Sequence, residues 1–230
     1  MKTLGLIGGT GPESTIEYYR LLIAQYREKA DGASPPLIIN SVDIKRLLAW
    51  MTANELGKVT DYLVDEIEKL RKAGADFGAL TANTPHIVFD EIQRRSALPL
   101  ISIVEAACER VQALGLKRVA LFGTRYTMQA PFYPAVFSRT NVDLVTPTNE
   151  EQTYIHDIYL GELLKDVFLP ETREKVLRIA GEMKARHSID AVILGGTELP
   201  LLLRGEEHNG IRLLDTTRIH VDRLITEMLN

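Results

Sequence analysis

Short apolar runs that stop at glycine or at a polar loop alternate along this chain with longer stretches whose apolar residues recur every three or four positions. Thr3–Ile7 (TLGLI) reads as a strand ended by Gly8-Gly9, followed by a helix with Ile16, Tyr19, Leu22, Ile23 and Tyr26 on its apolar face. Pro36–Asn40 predicts a second strand and Asn54–Ala73 a helix carrying Leu56, Val59, Leu63, Ile67 and Leu70, before a short strand at Ala79-Leu80 runs into TANTPH. The order recurs afterwards: helix over Val104–Leu114, strand Arg118–Phe122, loop GTRYTM, helix Arg173–Arg186, strand Ala191–Leu194, loop GGTELP. Such alternation predicts βαβ units and parallel sheets covered on both faces.

The pattern is also internally repeated. KTLGLIGG at Lys2–Gly9 aligns with KRVALFGT at Lys117–Thr124, and the same shift brings Tyr18 onto Tyr133 and Thr81 onto Gly196 without a gap. A duplicated unit follows: an α/β protein of two pseudo-symmetric lobes, each a parallel sheet flanked by helices, with an active-site cleft between them. The first lobe is expected to take residues 1–103 plus about 211–230, and the second about 104–210. Ligands of open α/β sheets bind beyond the carboxyl ends of the strands. That singles out the loops Gly8–Thr15, Thr81–His86, Gly123–Met128 and Gly195–Leu199.

Composition narrows the chemistry. The 230 residues carry 27 Lys+Arg against 31 Asp+Glu, a formal net charge of −4. That balance argues against a nucleic-acid partner but leaves room for a small anionic ligand held by one or two local cations. No apolar run approaches the roughly 18 residues of a membrane span, and the N-terminus lacks a signal-peptide core, so a cytoplasmic protein without a membrane partner is expected. Cys108 is the single cysteine; it sits in a helical apolar pattern and reads as a small buried filler. With His156, His187 and His208 scattered, no metal site is expected.

Each strand-end loop offers polar groups. GGTGPEST matches neither the dinucleotide fingerprint nor the phosphate loop, which would need a lysine. It reads either as a tight turn with Ser14 or Thr15 capping the helix, or as a carboxylate cradle using Gly9 and Thr10. TANTPH supplies Asn83, Thr84 and His86, the last either structural or a general base. GTRYTM places Thr124, Arg125 and Thr127 at a strand end, where an arginine fork matches a carboxylate. GGTE places Thr197 and Glu198 opposite Asn83 in the repeat, and Asp215 is expected to cap the last helix.

GLIGGTGPESTIEYY, TANTPH, LFGTRYTMQAPFY, LGGTELPLLL and LLDTTRIH together make the chain resemble, over essentially its full length, the aspartate/glutamate racemase family of cofactor-independent amino-acid racemases. The resemblance implies two pseudo-symmetric α/β lobes, a homodimer, a small amino-acid or dicarboxylate ligand, and no cofactor, neither pyridoxal phosphate nor metal. It also implies two catalytic cysteines, one opening a CTNTxH motif and one inside GCTE, which exchange the α-proton from opposite faces. Here those positions are Thr81 and Gly196, and Cys108 matches neither. By the same resemblance Asn83, Thr84, Thr124, Thr127, Thr197 and Glu198 surround the amino-acid head group, and Gly9, Thr10 and Arg125 join them as substrate-binding candidates from their loops. Arg46 or Lys45, and Lys165, are the candidates for the side-chain carboxylate. Three outcomes stay open: an isomerase with altered catalytic groups (Thr81 relayed through His86, Glu198 or a bound water), a binding protein without turnover, and a lyase or decarboxylase working on one face of a related acid.

Overall fold

The computed structural model describes residues 1–230, the side chain of Pro12 aside. The chain divides into two compact units, Met1–Ile103 with His220–Asn230, and Val104–Ile219.

In the first unit β1 (Leu4–Gly8), α1 (Pro12–Lys29), β2 (Leu37–Ser41), α2 (Ile44–Thr52), α3 (Leu56–Lys72), β3 (Phe77–Leu80) and α4 (Phe89–Arg95) follow in order, with a 3-10 turn at Thr84–Val88 before α4. The sheet is parallel in the order β2-β1-β3. All five residues of β1 are buried because β1 is central and covered on both faces. The face of α3 is the one expected: Val59, Leu63, Ile67 and Leu70 are buried. That of α1 is rotated. Tyr18, Leu22 and Tyr26, spaced by four, form its buried stripe, whereas Ile16 and Tyr19 are exposed at 41% and 49%. The core of this unit joins Leu4, Leu6, Tyr18, Leu22 and Phe77 to Val221, Leu224, Ile225 and Met228 from the far end of the chain.

The second unit holds α5 (Ile103–Ala113, from its second residue), β4 (Arg118–Gly123), α6 (Arg125–Gln129), α7 (Phe132–Phe137), β5 (Asp143–Val145) and α8 (Asn149–Gly161). A 3-10 turn at Leu163–Lys165 leads on to α9 (Pro170–His187), β6 (Ala191–Gly195), α10 (Leu199–Leu203), β7 (Glu207–His208), β8 (Ile211–Asp215) and the start of α11 (Thr216–Leu229). Its sheet runs β5-β4-β6-β8-β7, parallel except for the β7–β8 hairpin. Within each unit the strand that opens the repeat is central, β1 between β2 and β3, β4 between β5 and β6. Thr81 follows β3 as Gly196 follows β6. The expected return to the first lobe at about 211 is corrected: β8 pairs with β6 from Arg212 to Asp215, so Ile211–Ile219 stays with the second unit. Asp215 Oδ1 accepts from the Thr217 and Arg218 amides and so caps α11.

Among the described residues no helix is long and apolar enough to cross a membrane, and no group of three His, Cys, Asp or Glu could hold a metal ion. Cys108 is buried, and burial pushes its thiol upward.

Candidate active site

Hydrogen bonds tie the strand-end loops of the first unit to one another. Gly9 follows β1 with φ +83°, and a Cβ there would lie 2.5 Å from Ser41 Oγ and 2.6 Å from the Val42 carbonyl, so both conformation and space demand glycine. Its amide donates to Thr15 Oγ1 at 2.9 Å. Ser14 and Thr15 do not cap α1, whose N-cap is Gly11. Ser14 Oγ instead donates to the Thr81 carbonyl at 2.7 Å, pinning the loop after β1 to the loop after β3. Thr10 Oγ1 is buried and finds no hydrogen-bond partner among the described residues.

Thr81 is wholly buried. Its hydroxyl donates to the Ile7 carbonyl at 3.1 Å and lies 3.5 Å from Thr15 Oγ1. None of these partners is a carboxylate or an imidazole, so they cannot take a proton from the threonine. Asn83 is buried beside it.

His86 is placed as a structural ring. Its Nε2 accepts from the Ile103 amide at 3.3 Å, which leaves Nδ1 to carry the proton and donate to the Ala82 carbonyl at 3.0 Å. Burial pulls it down to about 4. With both nitrogens committed to backbone, the general-base reading of His86, and with it the branch of the Thr81 relay that runs through His86, loses its geometry. His220 follows the same logic. Its Nε2 faces the Ile101 carbonyl at 3.0 Å and so donates, and its Nδ1 accepts from Tyr18 Oη at 2.8 Å. Arg46 lies in the first turn of α2, where Asp43 accepts from the Lys45 and Arg46 amides. Its guanidinium stacks over Trp50 and Tyr62, at 4.8 and 5.3 Å from the ring centroids.

In the second unit Thr124 caps α6 by accepting from the Thr127 amide, and the two hydroxyls lie 3.2 Å apart. Both are buried. Arg125 is exposed, with its amide donating to His156 Nδ1 at 3.3 Å. Lys165 is exposed on its 3-10 turn.

The cluster after β6 is the most distinctive. Glu198 is 4% exposed, and its Oε2 accepts from both Thr197 Oγ1, at 2.9 Å, and Tyr159 Oη. Burial away from water raises the Glu198 carboxyl above its ordinary value, and burial plus the neighbouring Glu198 charge holds the Tyr159 phenol protonated well above its own. Tyr159 comes from α8, whose Ile155, Ile158 and Tyr159 join Phe122, Leu194 and Leu199 in the core. Its ring occupies the room beside Gly196. A Cβ at 196 would sit 2.7 Å from Tyr159 Oη and 2.9 Å from Cζ, with Cε2 closer still. Nothing in the sequence marked Tyr159. The capping box Thr148–Glu151 could have located α8, but not where the tyrosine points.

These structures have relatives. A family profile described as Asp/Glu/hydantoin racemase matches residues 7–224. The fold superposes on an Asp/Glu racemase candidate from Yersinia pestis with a TM-score of 0.92 at 29% identity, and on an aspartate racemase homologue from Pyrococcus horikoshii OT3 with 0.86 at 35%. Both cover 100% of this chain and of the other. The broad specificity amino-acid racemase RacX of Bacillus subtilis (strain 168) is 27% identical over 157 residues, 65% of this chain and 66% of its own length. With the profile running from the end of β1 into α11, and with a full-length structural relative at 35% identity, the chain belongs to the Asp/Glu/hydantoin racemase family.

Proposed function

We propose that the protein binds a small acidic amino acid such as aspartate or glutamate, without pyridoxal phosphate, and that its α-proton chemistry is altered because Thr81 and Gly196 stand where the family resemblance places two cysteines. The observation that carries this reading is the set of buried strand-end groups: Asn83 in the first unit, and Thr124, Thr127, Thr197 and Glu198 in the second. Buried hydroxyls, amides and a carboxyl at strand ends suit the fixed polar pattern of an α-amino acid head group. Arg46, Arg125 and Lys165 are the cations available for carboxylates.

A two-thiol racemisation is chemically impossible for this chain. The Thr81 hydroxyl, tied to the Ile7 carbonyl, favours a second reading: a dicarboxylate or amino-acid binding protein without inversion. Thermal melting with the L and D forms of aspartate and glutamate tests the shared part. A ligand at one hundred times its Kd stabilises by about 2.7 kcal/mol, and no shift with any of the four refutes acidic amino-acid binding. Chiral chromatography after prolonged incubation separates the readings, since the antipode forms only if the protein racemises. Gel filtration with light scattering tests the homodimer we propose from the same family resemblance.

A further inference from the structure

We propose that Tyr159 and Glu198 form the single proton-exchanging pair of this protein, so that a bound amino acid exchanges its α-proton on one face and keeps its configuration. This rests on the amino-acid reading above and extends it to a residue and an outcome.

The argument begins with asymmetry between corresponding strand ends. After β3, the Thr81 hydroxyl is spent on a carbonyl and has a threonine as its other neighbour. After β6, a buried carboxyl receives two hydroxyl donors and, among the described residues, has no lysine, arginine or histidine as a hydrogen-bond or charge partner. A carboxyl in such surroundings lacks the charge compensation that a purely structural buried carboxylate usually has. Gly196 has no positive φ to explain it, and the space its side chain would use holds the Tyr159 phenol. The acid–base group at this strand end is therefore contributed by α8.

The step balances as a proton transfer. Tyr159 Oη takes the α-proton while its own proton passes to Glu198 Oε2, and the C–H electron pair moves into the substrate's carboxylate as an enediolate. Reversal returns a proton to the same carbon from the same side. In D2O the returning proton is a deuteron, because the phenol and carboxyl protons wash out between turnovers.

The experiment incubates the protein in D2O with each enantiomer of aspartate and glutamate, following the α-proton by NMR and configuration by chiral chromatography, with melting run in parallel. The expected result is loss of the α-signal for one enantiomer without its antipode. Tyr159→Phe keeps the ring in place and should slow exchange by about 100-fold or more, the usual worth of a positioned acid–base group. It should also change the pH dependence of exchange while the thermal shift persists. Glu198→Gln should slow exchange likewise, and because Glu198 is also one of the proposed binding groups, Tyr159→Phe alone carries the comparison of exchange with thermal shift. Inversion, exchange at full rate in Tyr159→Phe, or a clear thermal shift with no exchange would each overturn the pair while leaving amino-acid binding intact. Absence of a thermal shift with every enantiomer would overturn both.

Discussion

Gly196→Ala isolates the packing claim at the centre of the site. The glycine is not needed for backbone conformation, since its φ lies outside the left-handed region. In open space the exchange would therefore stabilise by about 0.4–1 kcal/mol, through the unfolded chain. Space decides instead. The new Cβ would meet Tyr159 Oη at 2.7 Å and Cζ at 2.9 Å, and Tyr159 is 5% exposed within the core of its unit, with little freedom to retreat. Overpacking of this kind costs about 1–3 kcal/mol, which for a chain of this size lowers Tm by about 2–12 °C. Tyr159→Phe keeps Cζ and Cε2 and gives no relief. Tyr159→Ala costs about 3–5 kcal/mol by itself, but in its background Gly196→Ala becomes neutral or stabilising. Urea melts of the four proteins, followed by circular dichroism, close the cycle with a coupling of about 1–3 kcal/mol. Equal costs of Gly196→Ala in the two backgrounds would refute the reasoning. A corollary concerns restoring cysteines at Thr81 and Gly196: the second thiol needs a shortened Tyr159 before it can be seated.

Burial pulls His86 down to about 4 and His220 to about 3, so between pH 6.5 and 4 the unfolded chain binds protons that the folded first unit refuses. Stability is fully present above pH 6.5 and falls as pH drops, by about 1.4 kcal/mol per pH unit for each ring; urea midpoints at pH 7.5 and 5.0 measure the loss, and a ring C2–H signal titrating near 6.5 would refute it. Thr148→Ala removes the capping box of α8 and should cost about 1 kcal/mol in urea melts, while Thr148→Ser should restore most of it. Trp50 is the single tryptophan, and Arg46 stacks on it. Arg46→Ala should therefore change the emission of the free protein, and if Arg46 takes the ligand's side-chain carboxylate, aspartate should change emission in the parent and leave the variant's unaltered.

The central architecture was legible because apolar runs such as TLGLI and RVALF end in glycine, and because two such runs repeat with a tyrosine and a strand-end loop in step. What escaped has physical reasons. β5 is three residues long, too short for any period to show. The buried face of α1 escapes the apolar pattern because Tyr18, less apolar than Ile16, can be buried only once His220, two hundred residues away in sequence, supplies a partner for its hydroxyl. The role of His86 depends on two backbone groups, and backbone leaves no trace in sequence. At the second strand end the sequence announces an absent side chain at 196; that α8 supplies one from elsewhere is a tertiary fact.

The first unit is assembled from both ends of the chain, with the Lys2 amide bonded to the Met228 carbonyl and Val221, Leu224, Ile225 and Met228 packed on Leu4 and Leu6. On the ribosome this imposes an order. The second unit is one uninterrupted segment and can close as soon as it has emerged, while the first must wait, half-built, until α11 has emerged as well. Its β1 and β3 meanwhile expose apolar faces that the finished protein covers, so that unit passes its riskiest interval during synthesis. A chain cut after His220, without Val221, Leu224, Ile225 and Met228, would leave that state permanent.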